Sequence, residues 1–339
     1  VQAMGNFQIN VLGGLIAVGT QEDSIYFRNA QVPPTTIWKG IRLESSVPAT
    51  FQHCYIEYAD YGINSINTQM EVSNCHFKYN KKGMQLYAMG STTPQIMNVH
   101  HNLIELSQQN GILIAQNSNA HVHNNEVRFN GTGTAFYAAI QLSNQSASGA
   151  NNPVIEYNNI HHNYKQGISA WDVASAGAIN PTITNNSIEY NYTGIYLLQA
   201  GGYIANNSIC NNFIPNDMNS GAGVMVSGAT SVPYFEDNLI TGNYTGFYIT
   251  NNARPCLGDL SIYHAWAQGG NIIRDNIDAN GILHSVYCDA YPTSTNVIKA
   301  ENNNWGVNSA DQIAIGINDN SDNPALPTVD FDPWIIEVV

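Results

Sequence analysis

The sequence predicts an all-β fold, a single-domain right-handed parallel β-helix solenoid of about ten coils. Three observations predict it. The unit Asn-x-Ile-x-x-Asn-x-x-Gly-Ile recurs through the 339-residue chain. Apolar–polar–apolar triplets such as Ile140-Gln141-Leu142 and Ile195-Tyr196-Leu197 alternate with the period of a strand. No stretch sustains the periodicity of a helix.

The unit is clearest at residues 186–195 and returns at 238–247, with looser copies at 102–112, 125–140, 158–168 and 207–224. In two earlier copies, 54–63 and 75–84, Cys stands where the first Asn would be. Successive Gly-Ile positions lie about 21 to 35 residues apart, many near 28, which is solenoid spacing. Each coil is expected to hold about three short strands, because one coil cannot bury its apolar edge whereas stacked coils make a continuous core. Asn tolerates left-handed backbone and bonds its neighbours in turns. Repeated at one place in every coil, it is expected to form a side-chain hydrogen-bond ladder along the axis. Gly before Ile is expected to make a tight bend into the next strand.

Longer loops are expected at 143–153, 171–180, 213–222, 251–270 and 288–296, projecting from the stack. Residues 1–300 are expected to carry the repeats, and 301–339 to form a closing segment packed on the last coil.

Composition narrows the function. Charged residues make up 11% of the chain, well below the roughly 25% usual for soluble domains. The polar surface must therefore come from Asn, Ser, Thr, Gln and Tyr, which suits neutral polymers or other copies of the chain. The net charge is -14, and the 11 Lys and Arg residues do not cluster beyond Lys81-Lys82. That excludes nucleic acid, which needs a basic patch, and argues against anionic lipid. The apolar run 11–18 is too short to span a membrane and lacks the cationic flank of a signal peptide, so it reads as a strand. The repeat pattern is already under way there, so the first residue reads as a processing boundary.

The five cysteines, Cys54, Cys75, Cys210, Cys256 and Cys288, contain no CxxC pair and are odd in number. Cys54 and Cys75 hold one repeat position a coil apart, either as stacked buried thiols or as a disulfide. Cys256 and Cys288 are a second possible pair.

Several candidate sites can be placed by repeat register. The outward column after each Gly reads Arg42, Asn64, Gln85, Leu113, Gln141, Ser169, Tyr196, Met225, Tyr248 and Leu283, without a carboxylate. Glycoside hydrolysis needs two carboxylates, so this column does not carry it. Before the Asn turn the outward column reads Ser73, His100, His123, Glu156 and Thr184. His100, His123 and Glu156 form a possible metal-ligand row, although a straight row converges poorly on one ion. After the turn the column reads Glu57, Lys78, Glu105, Arg128, His161 and Glu189, whose alternating signs favour cross-strand pairing. A functional reading makes His161 and Glu189 an acid–base pair. Tyr87, Trp171, Tyr196 and Tyr248 lie on or beside the strand face after Gly and are candidates for stacking on sugar rings. Asp319 and Asp322 lie in an oxygen-rich loop able to hold Ca²⁺, and no other cofactor is expected.

The whole pattern resembles the pectate-lyase-like superfamily of right-handed β-helix proteins, and more narrowly the Asn-rich β-helix repeat domains of large secreted or surface proteins. The opening residues 15–20, 25–27 and 38–43 resemble how such domains begin. Asn302-Asn303-Asn304-Trp305-Gly306 and the stretch 329–334 resemble how they close. The superfamily holds lyases, hydrolases, epimerases, adhesins and structural proteins, so the resemblance implies a fold rather than an activity. Its hydrolases carry paired Asp, Gly-His-Gly and Arg-x-Lys, none of which occurs here.

The expectation is therefore a non-catalytic extracellular or cell-surface β-helix for adhesion, surface structure or self-assembly, contacting polysaccharide or its own copies. The alternative is a polysaccharide lyase or glycoside hydrolase acting on an extracellular polysaccharide. Its carboxylates would come from long loops, as at Asp172 or Asp217.

Overall fold

A computed structural model describes the chain except residues 89–95, 117, 145–149, 173–177, 215–216, 263–264, 292–295 and 337–339. The expected loops at 143–153, 171–180, 213–222, 251–270 and 288–296 fall in part outside the described residues. The chain divides into two compact units, Val1–Ile168 and Ser169–Val339. Each is a parallel β-helix built from three sheets.

In the first unit, one sheet passes from Ile25–Asn29 through Cys54–Glu57, His76–Lys78, Leu103–Glu105 and Glu126–Arg128 to Asn159–His161. A second passes from Trp38–Leu43 through Ala59–Ile66, Lys82–Tyr87 and Ile112–Ala115 to Ile140–Asn144. A third passes from Ala49–Gln52 through Met70–Ser73, Met97–His100 and His121–His123 to Val154–Glu156. Because the register is held from coil to coil, inward residues stack into columns. Ile56, Phe77, Ile104, Val127 and Ile160 form one column, and Phe51, Val72, Val99, Val122 and Ile155 another; all ten are fully buried. Burying one such side chain contributes about 1.5–3 kcal/mol.

Two Asn ladders, rather than one, run along the coils, at the two turns that flank the strands of the first sheet. At the first turn, the Asn102 amide donates to the side-chain oxygen of Asn125 at 3.0 Å, and that of Asn125 to Asn158 at 3.0 Å. At the second turn, Ala59 donates to Asn80 at 2.9 Å, Ser107 to Asn130 at 3.0 Å and Asn130 to Asn163 at 2.9 Å. The ladder residues are buried, so each bond satisfies a turn amide that water cannot reach.

The left-handed backbone belongs to the residue before each ladder Asn, not to the ladder Asn itself. His101, Asn124 and Tyr157 precede the first ladder with φ of 54°, and Tyr79, Phe129 and His162 precede the second with φ of 54–55°. That conformation costs an L-residue roughly 1–2 kcal/mol, which the ladder bonds offset. The Gly before Ile is likewise needed for space rather than for a left-handed bend. A Cβ on Gly83 would stand 2.4 Å from the carbonyl oxygen of Gly111 in the next coil.

The second unit repeats the plan. One sheet holds Ser187–Glu189, Ser208–Cys210, Leu239–Thr241 and Ile272–Arg274. Another holds Thr193–Leu198, Ala222–Ser227, Thr245–Thr250, Val286–Asp289 and Ile317–Asn318. A third holds Thr182–Thr184, Tyr203–Ala205 and Tyr234–Glu236. Its ladders run Asn186, Asn207, Asn238, Asn271, Asn303 and Asn191, Asn212, Asn243, Asn276. Near the end, the short helix Ala310–Ile315 starts at Ser309, whose hydroxyl caps it by accepting from the Gln312 amide. Among the described residues no helix is long and apolar enough to cross a membrane.

Candidate functional site

The second unit gathers a tyrosine face on its longest sheet. Register places Tyr196 beside Met225, Met225 beside Tyr248, Tyr248 beside Tyr287 and Tyr287 beside Asn318. Each points outward because it alternates with a buried neighbour, such as Ile195 and Leu197 around Tyr196 or Phe247 and Ile249 around Tyr248. Leu283, the expected end of this column, does not belong to it: Tyr287 takes that place. Gly281-Ile282 mimics the repeat, but Gly281 has φ +82° and belongs to a turn in which its amide donates to the Asp278 carbonyl. The strand comes four residues later, at Val286–Asp289.

The rings of Tyr248 and Tyr287 are parallel within 9°, with centroids 5.8 Å apart. Tyr287 also meets the His284 ring edge-on at 6.1 Å, and His284 lies parallel to Tyr244 at 6.5 Å. The next column reads Leu198, Ser227, Thr250 and Asp289, of which Ser227 and Thr250 are buried and Leu198 and Asp289 partly exposed. Asp289 Oδ2 accepts from the Tyr248 hydroxyl at 2.5 Å. Burial pushes the Tyr248 phenol up first, followed by that hydrogen bond and by the charges of Asp289 and Asp217. Burial alone pushes Tyr196 up. The face thus sets aromatic carbon beside the Asp289 carboxylate, and the residues named in its two columns include no Lys or Arg.

Trp171 is 45% exposed at the end of the strand Gln166–Asp172. Asp172 is buried, and its Oδ2 accepts from the Ala178 amide at 2.9 Å. Tyr87, in the first unit, donates to Gln116 Oε1 at 2.8 Å. His161, also in the first unit, bonds Glu126 at 3.3 Å, while Glu189, in the second, accepts from the Ser187 hydroxyl at 3.3 Å.

His100, His123 and Glu156 are Cα partners on consecutive coils. The His100 and His123 rings are parallel within 10° at 4.8 Å. Lone pairs lie in the ring planes, so stacked rings do not aim them at one point. Glu156 pairs with His121 at 2.8 Å instead. Among the described residues no three His, Cys, Asp or Glu side chains gather as metal ligands. In the loop of Asp319 and Asp322, Asp319 Oδ1 accepts from the Ser321 amide and hydroxyl, both at 2.8 Å. Its Oδ2 accepts from the Val329 amide at 2.9 Å, and Asp322 accepts from the Asp319 amide at 3.1 Å. These carboxylates close their own turn.

In the first unit the alternating row Glu57, Lys78, Glu105, Arg128 and His161 keeps strict register. Its centre is Glu105, buried and bonded to Lys78 at 3.1 Å, His76 at 3.1 Å and Arg128 at 2.9 Å. Burial alone would raise the Glu105 carboxyl, but these three partners outweigh it and hold it below its ordinary value. The row is a structural network.

Sequence reasoning missed Tyr287 and Asp289. Their signal was the alternation Val286-Tyr287-Cys288-Asp289, which lacks the Gly-Ile start of the other copies. All five cysteines are free thiols.

Comparison with curated proteins finds no match, nor does comparison with solved structures. A family described as the right-handed β-helix region matches residues 23–209, more than half of the chain. With its parallel coils and Asn ladders, the chain belongs to the right-handed β-helix family.

Proposed function

We propose that this is a non-catalytic extracellular β-helix that contacts carbohydrate through the tyrosine face of its second unit. One observation carries the reading: the partly exposed Tyr196 and Tyr287 share an outward column in which Tyr287 stacks on the buried Tyr248 ring, with Asp289 in the column beside it. A sugar has an apolar C–H side that packs on aromatic carbon and hydroxyls that need polar partners at the rim. Here the partly exposed Asp289 carboxylate supplies the polar partner. The low charge and amide-rich surface support an extracellular setting among polymers.

The test is retention of the intact protein on cellulose, chitin, xylan and polygalacturonate, with released products measured in the same tubes. Retention without new reducing ends or unsaturated products supports the reading; absence of retention on every polymer overturns it. A glycan-cleaving enzyme is the second reading, favoured by the 2.5 Å hydrogen bond from the Tyr248 hydroxyl to the Asp289 carboxylate. Its signature is product release that disappears in Asp289→Asn.

A further inference from the structure

The first unit holds two His–His turns of the same design. At His100-His101 the two Nδ1 atoms lie 2.8 Å apart, with ring planes at 85°. At His161-His162 the two Nδ1 atoms again lie 2.8 Å apart, with ring planes at 87°. In both, the first His ends a strand and the second adopts the left-handed turn conformation at φ 54°. That turn folds the second side chain back beside the first. The same geometry recurs at His123-Asn124, where Nδ1 and Oδ1 are 2.8 Å apart. The close approach is therefore a property of the turn, and the two His–His sequences give it a chelating chemistry.

A carboxylate fixes the first ring in each pair. Glu71 bonds His100 Nε2, and Glu126 Oε1 lies 3.3 Å from His161 Nε2. A carboxylate accepts only, so each Nε2 carries the proton and each Nδ1 presents its lone pair to the neighbouring ring. Ligating histidines are commonly held in this way, by a carboxylate on the other nitrogen. In the metal-free turn the second Nδ1 donates its proton to the first.

We propose that each turn is a two-nitrogen site for a square-planar divalent ion, Cu(II) above all, with water in the remaining positions. Distance decides the geometry. Two imidazole nitrogens each about 2.0 Å from one ion lie about 2.8 Å apart at a right angle, but about 3.3 Å apart at the tetrahedral angle of Zn(II). The observed spacing fits the right angle, and among divalent first-row ions affinity peaks at Cu(II). On binding, the second ring's proton moves from Nδ1 to Nε2, so both imidazoles stay neutral while the ion takes the two Nδ1 lone pairs; because only neutral imidazole ligates, binding weakens as pH falls.

The test is a Cu(II) titration of the intact protein by calorimetry and electron paramagnetic resonance, in a buffer that does not bind copper. The variants are His101→Asn, His162→Asn and the double variant; Asn suits the left-handed position, and circular dichroism checks that the coils are intact. The expected result is loss of one nitrogen-coordinated equivalent in each single variant and of two in the double variant. Copper uptake by the double variant equal to that of the parent, or no saturable uptake by the parent, overturns the proposal.

Discussion

The Cys75 thiol sulfur lies 3.4 Å from the backbone nitrogen of Cys54, in the place where an Asn side-chain oxygen receives the same amide in later coils. Cys75 in turn donates its own amide to Asn102 Oδ1 at 2.9 Å. The two cysteines are thus the first rungs of the ladder, with sulfur standing in for the amide oxygen. Cys75→Asn is expected to keep or raise stability, because it supplies a stronger acceptor at a place built for Asn. Cys75→Ala is expected to cost about 1–3 kcal/mol, from the unsatisfied amide and the lost packing. Urea denaturation of both variants checks the order.

Thiol reactivity follows from the same burial. Burial pushes Cys288 up, and the hydrogen bond with Cys54, followed by burial, pushes Cys75 up. A protonated, water-excluded thiol is a poor nucleophile. Alkylation of the folded protein at pH 8 is expected to leave both unlabelled, and alkylation in denaturant to label all five cysteines. Mass spectrometry reads the difference; rapid labelling of Cys75 in the native state would contradict its place in the ladder.

Asn125 sits in the middle of the first ladder, donating to the Val99 and His123 carbonyls and to Asn158 while accepting from Asn102. Asn125→Ala leaves a buried amide and two carbonyls short of partners, at about 1–3 kcal/mol for each group that water cannot reach. Asn125→Asp keeps the shape but replaces the donor with a charge, so it should destabilise at neutral pH and recover as the carboxyl is protonated. A pH series of denaturation midpoints checks this.

Glu105 gives the chain a pH dependence of known sign. Its folded pKa is held below the ordinary value, so the folded state takes up this proton less readily than the unfolded state. The stabilisation is present above the ordinary carboxyl value of about 4.3 and is lost as pH falls through the folded value. Glu105→Gln should cost about 1–3 kcal/mol at pH 7, and the gap to the parent should shrink at pH 3. A constant gap across that range would show that the ion pairs contribute nothing.

Where the repeat is regular, register was legible from the sequence. Ser73, His100, His123 and Glu156 fall in one column, as do Glu57, Lys78, Glu105, Arg128 and His161, because a solenoid turns sequence spacing into position. Where the copy degenerates, it was not. Gly281-Ile282 carries the motif without the strand, and Val286–Asp289 the strand without the motif. The left-handed residue was also misplaced, because His101, Tyr79 and Phe129 carry no turn signal of their own. They adopt the conformation because the ladder bonds of the next residue outweigh its cost. The ring pairs at His100-His101 and His161-His162 needed side-chain geometry that spacing does not hold.

The most direct test of the carbohydrate reading is the affinity of Tyr287→Ala for the polymer that retains the parent best, measured by affinity electrophoresis. The account predicts binding at least about tenfold weaker, about 1.4 kcal/mol, with an unchanged circular dichroism spectrum. Equal affinity in parent and variant would contradict it and remove the tyrosine face as the contact surface.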